Sequence, residues 1–235
     1  MKPLLVLAAF PMVLMGWASC SHSGTGHAAL PDPRAVDKSV PEYKNPFHPS
    51  TYAHFVARKD YRKTYDVYKD DTLLNRQPKK SRKIFVCLDE QRGQYLVDGL
   101  VAMDFPLSSG VKAYPTKTGD YAVISKKEDH ASNLYGKMYD AEGKCINYNA
   151  ESTDPIPEGG RFDGSPMPYW QRLTNAGLGL HVGKVRRHPV SHGCVRLPRN
   201  VAEILYRQTS IGTPVTIQKT PLPVPEAQKI PPAQQ

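Results

Sequence analysis

The side chains able to do covalent or metal chemistry crowd into one stretch, HVGKVRRHPVSHGCVRLP, from His181 to Pro198. It holds three histidines, a cysteine, a serine and four basic residues, Lys184, Arg186, Arg187 and Arg196. Three chemistries compete for it. As a metal site it would use His181, His188, His192 and Cys194, but it lacks the short paired spacing of structural zinc sites, such as C-x₂₋₄-C. As a buried structural thiol, Cys194 would want apolar neighbours. It follows Ser191-His192-Gly193 instead, the small and polar residues of a tight exposed turn. As a nucleophile it would need a base within hydrogen-bond reach. His181, thirteen residues earlier, could fold back to meet it. Consecutive N–H groups of the turn could then hold a developing oxyanion, and cationic neighbours are the setting that lowers a thiol's pKa. Acyl transfer through a thioester is the natural chemistry of such a pair.

Positioning that pair requires a strand before the histidine and a rigid element after the cysteine. LGLHVG, from Leu178 to Gly183, predicts the strand. NVAEILYRQTS predicts a short helix with Val201, Ile204, Leu205 and Gln208 near one face, and Asn200 with Glu203 as its capping pair. TPVTIQK, from Thr213 to Lys219, predicts a closing strand. Upstream, KIFVCLDE, QYLVDG, LVAMDFPLSSG and PTKTGDYAVISKK are β-rich runs separated by turn residues. Asp98-Gly99 between two apolar runs signals a two-residue hairpin. The stretch from Glu128 to Met167, rich in Asn, Asp, Gly and Pro, carries no periodicity. It predicts a long irregular loop, either a lid or substrate-binding insertion or a disordered insert. The sum is a mostly-β domain over residues 83–219 with one short helix.

The flanks differ in kind. Residues 1–20, MKPLLVLAAFPMVLMGWASC, have a lysine, an apolar run and small residues before Cys20. That is the layout of a secretory signal peptide, and the run is shorter than the roughly 20 residues of a membrane span. The ending also resembles a bacterial lipoprotein signal, which implies lipidation of Cys20 and a membrane anchor, although Trp17 stands where leucine is usual. Residues 21–82 predict a tether and N-terminal extension: polar and unpatterned to residue 45, then a helix capped by Ser50 or Thr51 and running to Tyr68, with tyrosines to pack on the main domain. Residues 220–235 predict a proline-rich, extended and disordered tail. Export places the cysteines in an oxidising compartment, where Cys87 and Cys145 could pair, or Cys87 could be a small buried hydrophobe. The net charge of +9 favours anionic surroundings, an acidic polymer or membrane surface. No nucleic-acid-binding spacing accompanies the basic runs RKDYRK and KKSRK.

SHGCVR, with an upstream histidine after GLGL, resembles the catalytic signature of the L,D-transpeptidases, the YkuD domain. The resemblance extends to KIFVCLDEQRGQYLVDGLVAMDFPLSSG, to YPTKTGDYAV and to MPYWQRLTNAGLGLHVG, covering about residues 83–219. It implies an L,D-transpeptidase-like β-sandwich or barrel with a short helix after the cysteine turn. It implies Cys194 as nucleophile toward a peptidoglycan stem peptide and His181 as general base, oriented by the carbonyl of Val182. It further implies an oxyanion hole from the backbone N–H groups of His192, Gly193 and Cys194, with Ser191 and Arg196 shaping the site or meeting substrate, and no metal or cofactor. The loop between His181 and Ser191 is shorter than is usual in the family, and His188 within it is expected to be a surface residue. The implied reaction releases terminal D-alanine and forms an L,D cross-link in the bacterial envelope. L,D-carboxypeptidase trimming, attachment to a lysine of an envelope protein and a non-catalytic wall-binding lipoprotein are the alternatives.

Overall fold

The computed structural model describes residues 31–77 and 81–229. The expected leader, with Cys20, and the end of the tail lie outside the described residues. In chain order the elements are α1 (Tyr52–Ala57), β1 (Tyr68–Lys69), α2 (Asp71–Asn75), β2 (Arg82–Cys87), β3 (Arg92–Val97), β4 (Leu100–Pro106), β5 (Gly119–Ala122), β6 (Ser125–Lys127), β7 (Ala131–Tyr139), β8 (Cys145–Glu151), β9 (Arg161–Pro166), β10 (Trp170–Arg172), β11 (Gly179–Val182), β12 (Val195–Leu197), α3 (Arg199–Gln208) and β13 (Pro214–Gln218).

The β-rich runs form the expected meander. β2, β3 and β4 pair antiparallel, and Asp98 and Gly99 turn the second hairpin with φ of 51° and 80°, the two positive values of a type I′ turn. These strands lie in a six-stranded sheet of order β1-β4-β3-β2-β13-β5. A four-stranded sheet of order β12-β11-β10-β6 faces it. Ile84, Val86, Tyr95, Val97, Met103, Phe105, Val215 and Ile217 of the first meet Leu180, Val195 and Leu197 of the second in one core. The same core takes Val201, Ala202 and Leu205 of α3. The mostly-β sandwich with a short helix after the cysteine turn is the architecture observed. The helix begins at Arg199 with no side-chain cap, so Asn200 and Glu203 are not a capping pair. Glu203 instead pairs with Arg207 one turn on.

Three expectations are corrected. The stretch from Glu128 to Met167 is neither loop nor disordered insert: β7 pairs with β8 and β9 in a separate three-stranded sheet. Its strands carry register shifts, and β8 is mostly exposed, so the period-2 apolar pattern that marks a half-buried strand is missing from the sequence. The helix expected from residue 50 to 68 is capped by Thr51 but ends at Ala57. Past it the chain folds back so that Tyr61 joins Tyr52 on one buried carboxylate, Asp104. The described part of the tail is ordered, with Val224 buried beside Tyr52, Phe55 and Val101 and the Gln228 amide bonded to both backbone groups of Val101. Cys87 and Cys145 are free thiols. Cys87 is buried on β2 and donates to the Lys219 carbonyl.

The extension is held by a polar cluster. Gln94 on β3 lies opposite Asp104 on β4. Asp104 accepts from the Arg92 guanidinium, from Tyr52 (2.7 Å) and Tyr61 (2.8 Å) of the extension, and from Gln94 (3.1 Å). Arg92 and Asp104 are both wholly buried. Breaking such a pair leaves an uncompensated buried charge, at a cost of about 3–5 kcal/mol. Asp104→Ala should therefore lower the unfolding free energy by an amount of that order, read from a lower urea midpoint, whereas Asp163→Ala, which removes only the exposed partner of Arg161, should leave the midpoint nearly unchanged.

Candidate active site

His181 sits on β11, and Cys194 immediately precedes β12. The two strands pair in parallel, with His181 opposite Arg196. Parallel neighbours cannot be joined by a hairpin and need a crossover of about a dozen residues, which residues 183–194 supply. Both side chains line one cleft of about 390 Å³, together with Tyr135, Gly177, His192 and Arg196.

His181 is 6% exposed, and its Nδ1 lies 2.8 Å from the carbonyl of Val182. With Nδ1–H donating there, Nε2 is left as the acceptor. Burial lowers the imidazole pKa to about 4; the Val182 bond opposes this, and Arg196 and His130 reinforce it. The resting imidazole is neutral. Cys194 Sγ lies 3.3 Å from the Gly177 carbonyl. Its thiol is pushed up by burial, against the smaller opposing effects of the Gly179 N–H and the Arg196 charge. The sequence reading that cationic neighbours lower this pKa is thus reversed: enclosure outweighs them. Both shifts favour the neutral forms, thiol and imidazole, over thiolate and imidazolium.

The turn itself is over-determined. Ser191 Oγ donates to the Cys194 carbonyl and accepts from the Gly193 N–H at 3.2 Å. Of the three N–H groups expected to bind an oxyanion, that of Gly193 is therefore engaged, while those of His192 and Cys194 have no acceptor among the described residues. Gly193 has φ of +111°, a conformation that side chains resist. Gly110 packs against it so closely that a Cβ would fall 2.8 Å from the Gly193 Cα. Thr116 Oγ1 ties the two together, accepting from the Gly110 N–H (2.8 Å) and donating to the Gly193 carbonyl (2.7 Å). The exposed His192 ring stacks on Tyr135 of β7 at 4.4 Å between centroids and 17° between planes, and Tyr114 approaches it at 4.9 Å. Gly110, Tyr114, Thr116 and Tyr135 escaped the sequence reading. For the first three the only signal was that SSG and YPTKTGD belong to the family-like segments; Tyr135 lay in the stretch taken for a loop.

Arg196 is half-buried and forms no ion pair among the described residues. The short crossover is pinned elsewhere. Arg187, at φ of +56°, donates to the carbonyls of Thr64 (2.8 Å) and Glu90 (2.9 Å). The N–H groups of Arg186 and Arg187 donate to Ser108 Oγ. His188 is exposed, as expected of a loop residue. Among the described residues no group of three or more His, Cys, Asp or Glu side chains is placed to hold a metal ion.

Two outcomes follow from this geometry. Alkylation of Cys194 by iodoacetamide, followed by peptide mapping, should accelerate about tenfold per pH unit from pH 6.5 to 8.5, because only the thiolate reacts; a plateau below pH 8 would show a depressed pKa and contradict the neutral pair. Ser191→Ala should strip the partners from the Gly193 N–H and the Cys194 carbonyl and cost about 1–3 kcal/mol, read as a lower unfolding midpoint.

With this geometry in place, comparison with known proteins converges on one family. The model of the L,D-transpeptidase catalytic domain (YkuD) matches residues 81–217. The probable L,D-transpeptidase 3 of Mycobacterium tuberculosis is 31% identical over 121 residues, 48% of this chain and 38% of that protein. The chain therefore matches well under half the length of that curated relative. Among solved structures, an L,D-transpeptidase (Yku) from Stackebrandtia nassauensis aligns over 71% of this chain and 65% of its own, at 22% identity and TM-score 0.44. L,D-transpeptidase 3 from Mycobacterium tuberculosis, in complex with a faropenem-derived adduct, aligns over 59% and 60%, at 24% identity and TM-score 0.44. Since the family model spans more than half of the sequence, the chain belongs to the L,D-transpeptidase (YkuD) catalytic domain family.

Proposed function

We propose that the chain is an exported cysteine acyltransferase acting on peptidoglycan stem peptides, with Cys194 as nucleophile and His181 as general base and acid. The observation that carries this reading is the shared cleft. A neutral imidazole is anchored through Nδ1 on Val182, and the thiol lines the same cleft at a turn where the N–H groups of His192 and Cys194 have no acceptor among the described residues.

The Sγ proton passes to His181 Nε2 as sulfur attacks the carbonyl that joins the stem's diamino acid to terminal D-alanine. A C–S bond forms, and the negative charge on oxygen is held by the N–H groups of His192 and Cys194. Collapse breaks the C–N bond, and His181 returns its proton to the departing amine of D-alanine. An acceptor amine then attacks the thioester and gives its proton to His181. Sulfur leaves and takes that proton back, and an amide cross-link remains. Atoms and charges balance without a cofactor. Arg196, unpaired beside the nucleophile, suits a substrate carboxylate. With a stem-peptide amine as acceptor the product is an L,D cross-link, with an envelope protein's lysine a protein–wall linkage, and with water the trimmed stem of an L,D-carboxypeptidase. Residues 1–20 support export and Cys20 a lipid anchor, and the net charge of +9 suits an anionic wall polymer.

Incubation with disaccharide-tetrapeptide, followed by mass analysis, tests the reading. The wild type should release D-alanine and yield dimer, or tripeptide where water wins. Cys194→Ala should form no thioester and no product. His181→Gln should slow D-alanine release by about 10²–10⁴-fold, the usual contribution of a positioned base. Unchanged product formation by Cys194→Ala would overturn the mechanism.

A further inference from the structure

The four-stranded sheet presents a second set of residues beside His181. Trp170 lies opposite Lys127 in the β6–β10 pairing, and Arg172 opposite Ser125. In the β10–β11 pairing Arg172 lies opposite Gly179, two residues before His181. Strand side chains alternate between faces, so Lys127, Trp170, Arg172 and His181 share one face. The residues between them point the other way: Gln171 and Leu180 are buried, and Lys126 Nζ reaches the carbonyls of Tyr206 and Thr209 at the end of α3.

Trp170 is a buried wall on this face, with ring centroids 5.9 Å from His181 and 5.0 Å from His130. Alongside the Cys194 cleft is a second, more open one of about 550 Å³, lined by Lys127, His130, Arg172 and Asn175 and sharing Trp170 and Arg172 with the first. Lys127, His130 and Arg172 form no ion pair among the described residues. Of the two adjacent acids, Glu128 acts on Tyr206 at the other side of the sheet, and Asp129 is exposed and forms no ion pair among the described residues. Burial, Lys127 and Arg172 all disfavour the charged form of His130. Like charges gathered around a cleft repel, and an anion relieves them.

We propose that this second cleft binds a carboxylate of the incoming acceptor, so that the acceptor amine reaches the thioester across Trp170. The proposal rests on the acyl-transfer reading above. The donor's acyl carbon is fixed at Cys194, with Arg196 beside it. The acceptor amine must surrender its proton to His181 and therefore approaches on the His181 side, which is the side of Trp170. The indole offers an apolar surface to an aliphatic stem, and the basic residues beyond it take the negative end.

Nα-acetyl-lysine and Nα-acetyl-lysinamide present the same ε-amine, remote from the altered group, and differ in one negative charge. The full-length enzyme, acylated by donor tetrapeptide, is offered each amine, and transfer is followed by mass spectrometry. The wild type should prefer the carboxylate-bearing amine by about tenfold, the effect of one such contact. Lys127→Glu should bring the ratio to near unity while D-alanine release stays within about twofold of wild type, since this exposed residue lies outside the donor cleft; Arg172→Gln should also reduce the ratio. An equal preference in wild type and variants, no preference in the wild type, or no transfer to either amine would overturn the acceptor site while leaving D-alanine release intact. Failure of the wild type to release D-alanine, seen before any amine is added, would overturn the acyl-transfer reading and this proposal with it.

Discussion

The parallel pairing of β11 with β12 is the constraint on which the site depends. It sets His181 opposite Arg196 and so fixes where Cys194 must fall, one residue before the second strand begins. A parallel pair demands a crossover, and this one is short. With little room to wander, the chain must turn sharply at Ser191–Gly193. The hydroxyl of Ser191 spans the turn internally. The segment after β4 braces it externally, through bridges from Ser108 to Arg196 and from Gly110 to Ser191. An exposed loop would leave the N–H groups of His192 and Cys194 mobile; here their positions follow from sheet registry.

The crossover in turn depends on the N-terminal extension. Arg187 reaches past the sheet to the Thr64 carbonyl, which Arg92 also contacts. Arg92 is the buried partner of Asp104, on which the extension's two tyrosines converge. A buried ion pair is a weak source of net stability, because desolvation offsets the attraction. Its effect here is positional. The arrangement of the extension that satisfies both charges here also presents the Thr64 carbonyl to Arg187. Residues 31–77 are thus part of the scaffold that holds the crossover between β11 and β12, although the family match begins only at residue 81.

How much of this was legible in the sequence depended on range. Local signals were readable: Asp98-Gly99 gave its hairpin, LGLHVG its strand, and SHGC its tight turn. The apolar face of α3 was readable because three of its expected residues enter the core. The failures have two physical sources. One is contact between segments distant in sequence: Tyr61 folds back because Asp104 lies 43 residues ahead, and no window around Tyr61 contains that fact. The other is exposure. β7, β8 and β9 show no amphipathic alternation to detect, and Tyr135, which stacks on His192, was hidden among them. The thiol's acidity failed for a related reason: adjacent cations are visible in a sequence, but the enclosure that outweighs them is created by the fold.

That enclosure bears directly on the chemistry. A preformed thiolate–imidazolium pair would be reactive at rest and, in the oxidising compartment proposed for this protein, open to oxidation. Burial instead disfavours charge on both partners. In the mechanism proposed above, moving the proton from Sγ to Nε2 creates a cation close to Arg196 and His130, which oppose it. There the transfer becomes favourable as the negative charge left on sulfur moves onto a carbonyl oxygen at the His192 and Cys194 N–H groups. In that mechanism proton transfer and C–S bond formation are coupled by electrostatics. The same sheet that buries one face for stability leaves the other to hold this pair in a low-dielectric cleft, so the reactivity of Cys194 is set less by its sequence neighbours than by what the fold keeps away from it.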